Sequence, residues 1–245
     1  MLPEFLLVLT LVVLATGVRW LLRRRDAAPL YRVGDTPLVP TPTWRPAPLK
    51  ERWAGDPEQP VSFGYKCSWW AIRSESPARV IEALGLREAR PVAWPEGVDR
   101  AHGGRGDGPA EVFVSPPIDG WVLVVGAPAD FEEAIEERLG ELARVSAALD
   151  TVVQVFGTHR VVEYHAWAWA DRGTIVRAFA FEGDVLVSRG APTATEVDLE
   201  VPLELTEEDA PGEDHVMAVA GGWSLDPQTL DEHAPVGRGW IGTWP

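Results

Sequence analysis

The chain has 245 residues, a formal charge of -15 and 24% charged residues, enough length for one sizeable core once an N-terminal anchor is set aside. Arg19, Arg23, Arg24 and Arg25 face only Glu4 in the first 25 residues, so the remainder is more acidic than the chain as a whole. Such a surface repels phosphate backbones and excludes nucleic acid as a natural ligand. The single cysteine, Cys67, excludes an intramolecular disulfide and a thiolate zinc cluster.

Phe5 to Val18 is free of charge, and Trp20 to Leu22 extend it beyond Arg19. At about 1.5 Å per residue this run reaches roughly 27 Å, close to a hydrocarbon core of about 30 Å. It predicts a transmembrane helix within residues 1–25. The arginines that follow it put the C-terminal domain on the cytoplasmic face of the membrane. A cleaved signal is disfavoured because Met1 to Glu4 lack positive charge. Residues 26–60 carry eight prolines and read as an extended linker, although Trp44 and Trp53 are each able to pack on the domain.

Residues 61–245 predict a single α+β domain, mainly an antiparallel sheet with a three-stranded meander, packed by one long helix and a few short ones. Ser62 to Arg73 is strand-like, and Trp69-Trp70 point to opposite faces of that strand. Ser76-Pro77 opens a helix that Gly85 stops. Arg90 to Trp94 predicts a short strand, and the Gly-rich stretch from Ala101 to Pro109 a surface loop. Glu111–Ser115 and Trp121–Gly126 predict a hairpin. Phe131 to Leu149 carries apolar residues at helical spacing, with Asp130 and Glu133 spaced as a capping box.

Thr151 to Phe156 is the next strand, and Thr158 to Gly190 predicts the meander, with turns at Asp171-Arg172-Gly173 and Glu182-Gly183-Asp184. Glu196 to Leu205 alternates apolar and acidic residues and reads as an edge strand. Glu213 to Ala220 is a helix ended by Gly221-Gly222, Asp226-Pro227 starts another turn, and the tail with Trp240 and Trp244 packs.

His159, Glu163 and His165 fall on the odd-numbered face of the first meander strand, with Trp167 and Trp169. On one unbroken strand His159 and His165 lie about 20 Å apart, too far to share an ion whose ligands sit about 2 Å away. Glu163 and His165 are close enough for general acid–base work with His159 or His215 assisting; further metal ligands would have to come from His102 or His215. A three-residue turn sets Trp167 across from Arg177, a cation–π contact that is either structural or the floor of a binding groove including Trp169. Ser224 misses the nucleophile-elbow pattern, and the loop 103–108 lacks the Lys-Ser/Thr ending of a phosphate cradle. No metal site and no cofactor is expected.

The phrases GYKCSWWAIRS from Gly64, VFVSPPIDGWVLVVG from Val112, THRVVEYHAWAWA from Thr158 and VAGGWSLDP from Val219 resemble an uncharacterised group of bacterial proteins. The resemblance spans most of residues 61–240 and implies one integral domain. It carries no catalytic or binding residue to this chain.

Two functional expectations follow. The first is a membrane-anchored protein-binding module that engages a basic protein partner, for example a toxin-neutralising immunity protein. The second is a hydrolase-type enzyme using Glu163 and His165. A scaffold that anchor and linker merely position is the bland alternative.

Overall fold

In the computed structural model, which describes residues 55–103, 110–128, 134–203 and 210–245, nine strands form one antiparallel sheet. They are β1 Ser68–Arg73, β2 Arg87–Val92, β3 Glu111–Val114, β4 Trp121–Val125, β5 Val152–His159, β6 Tyr164–Asp171, β7 Thr174–Glu182, β8 Val185–Arg189 and β9 Gly239–Thr243. Their order across the sheet is β2-β9-β3-β4-β1-β5-β6-β7-β8. The helices are α1 Pro77–Leu84, α2 Trp94–Gly103, α3 Ile135–Leu149, α4 Ala194–Asp198 and α5 Glu213–Trp223, with a 3-10 turn at Pro227–Glu232. This is an α+β architecture. The predicted anchor, most of the linker with Trp44 and Trp53, and the Asp130/Glu133 capping box lie outside the described residues. Among those described, no helix is long and apolar enough to cross a membrane.

Helices cover both faces of the sheet. Alternation in β6 divides its residues cleanly: Ala166, Ala168 and Ala170 face one way and His165, Trp167 and Trp169 the other. The alanine face, extended by Ala178 and Ala180 of β7, packs on α3 through Leu139, Leu142, Val145 and Leu149. Small side chains there let the helix approach the sheet closely. The tryptophan face packs on α5, with Phe156 stacked on Trp69 at 5.2 Å and Trp167 on Phe179 at 4.8 Å. Trp69 and Trp70 point to opposite faces as expected, and both are buried.

α1 and the β3–β4 hairpin form where their local signals put them. Ser76 Oγ accepts from Arg79 N, Pro77 opens α1, and Gly85 closes it at φ 67. Four expectations are corrected. The strand placed at Arg90–Trp94 runs over Arg87–Val92, and Trp94 instead opens α2, which takes in the start of the Gly-rich stretch. Thr193 and Glu196 form a full capping box, so the alternating acidic stretch begins as helix α4 and not as an edge strand. α5 continues through Gly221-Gly222 to Trp223, because tertiary packing outweighs the glycines' poor propensity. The tail packs as expected, and does so as β9, inserted between β2 and β3 with Trp240 and Trp244 against the core.

The fourth correction concerns the meander, which has four strands, β5 to β8. Arg160 to Glu163 form a turn inside the apolar run, with Glu163 at φ 56, so His159 ends β5 and His165 belongs to β6. The β6–β7 connection is a two-residue turn with Arg172 at φ 45 and Gly173 at φ 87, the left-handed pair that a tight hairpin requires. A bulge after Trp169 then sets Arg177 opposite Trp169 and Phe179 opposite Trp167. His165, Trp167 and Trp169 keep their expected common face, two residues out of the expected register across to β7, while His159 falls on the other face.

Candidate functional site

β5 and β6 bring Thr158 and His165 side by side as register partners on the tryptophan face. The Pro211-Gly212 approach to α5 then lays Glu213, Asp214 and His215 over them. Acidic residues in that first turn are favoured by the positive end of the helix dipole. The result is an open cleft of about 680 Å³. Glu163, Arg160 and Tyr65 stand at its exposed sides, and His165 and Phe181 line its buried side, their rings parallel with centroids 6.5 Å apart.

A buried chain of polar groups fixes His165, which is 4% exposed. Its Nδ1 lies 3.0 Å from Thr158 Oγ1, and the Thr158 hydroxyl donates to Glu213 Oε1 at 3.2 Å. The hydroxyl has one proton, and an ionised carboxylate can only accept. Thr158 therefore accepts from His165 Nδ1–H, and Nε2 is left as the unprotonated ring nitrogen. Glu213 also accepts from Lys66 N at 3.4 Å and holds Arg160 Nη1 at 3.9 Å. His215 is set in the complementary way: its Nδ1 accepts from Gly212 N at 3.0 Å, so in the neutral ring Nε2 carries the proton.

Burial pushes the His165 pKa below the usual histidine value, and His215 adds to that, while Glu213 and Glu163 pull upward without overcoming it. Burial also lowers His102. The sign for stability follows. The unfolded chain, with histidine near about 6.5, takes up these protons first, so stability is full above that pH and falls as pH drops toward the folded values. Denaturation at stepped pH should show this decline as pH drops below about 6.5. His165→Gln should flatten it, and an unchanged slope would contradict the assignment.

The structure joins Glu163, His165 and His215 in one cleft and separates the other candidates from it. His159 pairs with Tyr164 and shares the opposite sheet face, so the metal strand is excluded by orientation and not by the 20 Å separation expected of an unbroken strand. Among the described residues no group of His, Cys, Asp or Glu is arranged to hold a metal ion. Trp167 and Arg177 meet at neither a cation–π contact nor a groove floor. Both donate to the buried Glu196 carboxylate, Trp167 Nε1 at 2.8 Å and Arg177 Nε at 2.9 Å. The Arg177 guanidinium lies 5.5 Å from the Phe179 ring, and Trp169 packs against Trp223 at 5.4 Å.

Thr158, Glu213 and Tyr65 escaped the sequence reading as site residues. Pro-Gly followed by two acidic residues marks a helix start, but nothing local says which strand end that helix covers. Comparison with known proteins finds no matching family model, no matching curated protein and no matching solved structure.

Proposed function

We propose that the chain is a membrane-anchored binding module whose N-terminal helix holds an acidic domain at the cytoplasmic face, where its cleft engages a basic protein partner. The observation that carries this reading is the cleft's charge. Among the described residues, Glu163, Glu213 and Asp214 line it against a single cation, Arg160, on a chain of net charge -15. Val161 and Val162 stand exposed on the adjoining turn and Tyr65 on the rim, which supplies the apolar contact that a charged pocket alone lacks.

Long-range steering by such a surface is salt-sensitive, because the Debye length falls from about 10 Å at 0.1 M to about 3 Å at 1 M. Full-length protein purified with its anchor should retain a basic partner from native membranes at the lower salt and release it at the higher. The double variant Glu163→Lys, Asp214→Lys should capture none. Retention that is indifferent to both salt and charge reversal would sink the proposal.

The hydrolytic reading has one observation in its favour. A neutral imidazole with Nδ1–H held by Thr158 is in the state a general base needs. It requires turnover of an ester or amide by the wild type that His165→Gln abolishes, and the variant made for the pH series tests both.

A further inference from the structure

We infer that the cleft is a receptor for one arginine side chain, an inference that rests on the binding reading above and names what the pocket takes. His165 is more than nine-tenths buried, it lines the cleft, and its Nδ1 is committed to Thr158. The ring nitrogen left for a ligand is an acceptor, and a cleft whose buried nitrogen accepts suits a donor-rich group.

The acidic walls have the same bias. Glu213 is already engaged by Thr158 and the Lys66 amide, and Asp214 Oδ1 accepts from Tyr65 Oη at 3.2 Å. Glu163, exposed on its turn, brings a further carboxylate to the same cleft. Several carboxylate acceptors lining one cleft with an imidazole acceptor fit the forked donors of a guanidinium better than the point charge of an ammonium. Phe181 and Tyr65 offer aromatic surface to the planar head and its aliphatic stem.

The chain's own Arg160 marks the same preference. Its guanidinium lines this cleft, yet it reaches Glu213 only at 3.9 Å and the side chain is 63% exposed. That is a loose contact, which an incoming guanidinium with better-placed acceptors can displace.

The test is a titration of isotope-labelled full-length protein with three blocked tripeptides, acetyl-Gly-X-Gly-amide, where X is arginine, lysine or citrulline. Citrulline keeps the shape of arginine and loses the charge. The arginine peptide should bind saturably, shift the His165 and Phe181 resonances, and bind more tightly than lysine, with citrulline weakest. Glu163→Gln should weaken it about tenfold or more, the scale of one lost charge-assisted contact. Arg160→Ala should tighten it by removing the resident competitor.

Both positions are exposed, so neither variant threatens the fold. Absence of saturable binding, equal binding of citrulline, equal or tighter binding of lysine or of free spermidine, or indifference to Glu163→Gln would each overturn the inference. The two proposals fail separately. If a basic partner is captured while the arginine peptide is ignored, the pocket inference is wrong and the binding module stands; if the peptide binds and no partner is retained, the reverse holds.

Discussion

Arg177→Met should destabilise the domain by about 3–5 kcal/mol, because it strands the Glu196 carboxylate inside the protein. Both side chains are about 1% exposed or less. Arg177 Nε donates to Glu196 Oε1 and Oε2 at 2.9 and 3.1 Å, and Nη1 donates to Ala178 O and Arg189 O at 3.1 Å each. Glu196 in turn accepts from Trp167 Nε1 at 2.8 Å and from Thr193 N at 2.7 Å. One carboxylate thus ties the sheet, the β8 edge and the cap of α4 together.

Removing either charge alone leaves its partner desolvated and uncompensated, whereas removing both takes the unpaired charge away. The double variant Arg177→Met, Glu196→Leu should therefore recover a large part of the single loss. Urea denaturation of the singles and the double measures this directly. A double variant as unstable as the sum of the singles would show that the pair contributes through its separate hydrogen bonds and not as an ion pair.

The second large effect is steric. The Phe113 ring lies against two glycines: a Cβ at Gly97 in α2 would fall 2.1 Å from Phe113 Cδ2, and one at Gly239 in β9 would fall 2.2 Å from Cε2. Neither position needs a left-handed backbone, so space is what demands glycine there. Gly97→Ala gains about 1 kcal/mol of helix propensity and meets overpacking of about 1–3 kcal/mol, at a contact closer than real Cβ atoms make. A net loss is expected.

Gly140 in α3 is the matched control, since a Cβ there meets nothing within 4 Å and Gly140→Ala should stabilise by about 0.5–1 kcal/mol. Phe113→Leu should cost less in the Gly97→Ala background than in the wild type. Thermal or chemical denaturation of the four proteins checks the sign. Equal stabilisation by Gly97→Ala and Gly140→Ala would show that the Phe113 ring moves aside freely.

Much of the fold was legible wherever a signal spans only a few residues. Ser76, Pro77 and Gly85 bound α1, the alternation of β6 assigned its two faces, and the helix expected from Glu213 starts there as α5. Errors arose where two local signals compete. Residues 158–170 are apolar enough to read as one strand, yet a turn at Arg160–Glu163 breaks them. Thr193 and Glu196 satisfy a capping box in a stretch whose alternation also suits a strand, and Glu196 follows the cap because it also meets Arg177 and Trp167.

Of the site, the sequence singled out Glu163, His165 and His215, which line one cleft, together with His159, which the structure turns to the opposite sheet face. It could not supply Thr158 as the partner of His165, because the pairing of β5 with β6 depends on the turn it missed.

By itself, then, the sequence determined the class of the domain, the acidic character of its surface and the inward and outward faces of its strands, since propensity, charge and side-chain alternation are local properties. Only the tertiary structure decided that the tail becomes a strand between β2 and β3, that Arg177 pairs with Glu196 and not with Trp167, and that α5 roofs the end of β6 to make the cleft. Those outcomes depend on which surfaces exclude water from one another, and residues as little as 19 positions apart, as Arg177 and Glu196 are, carry no local mark of the partner they will meet.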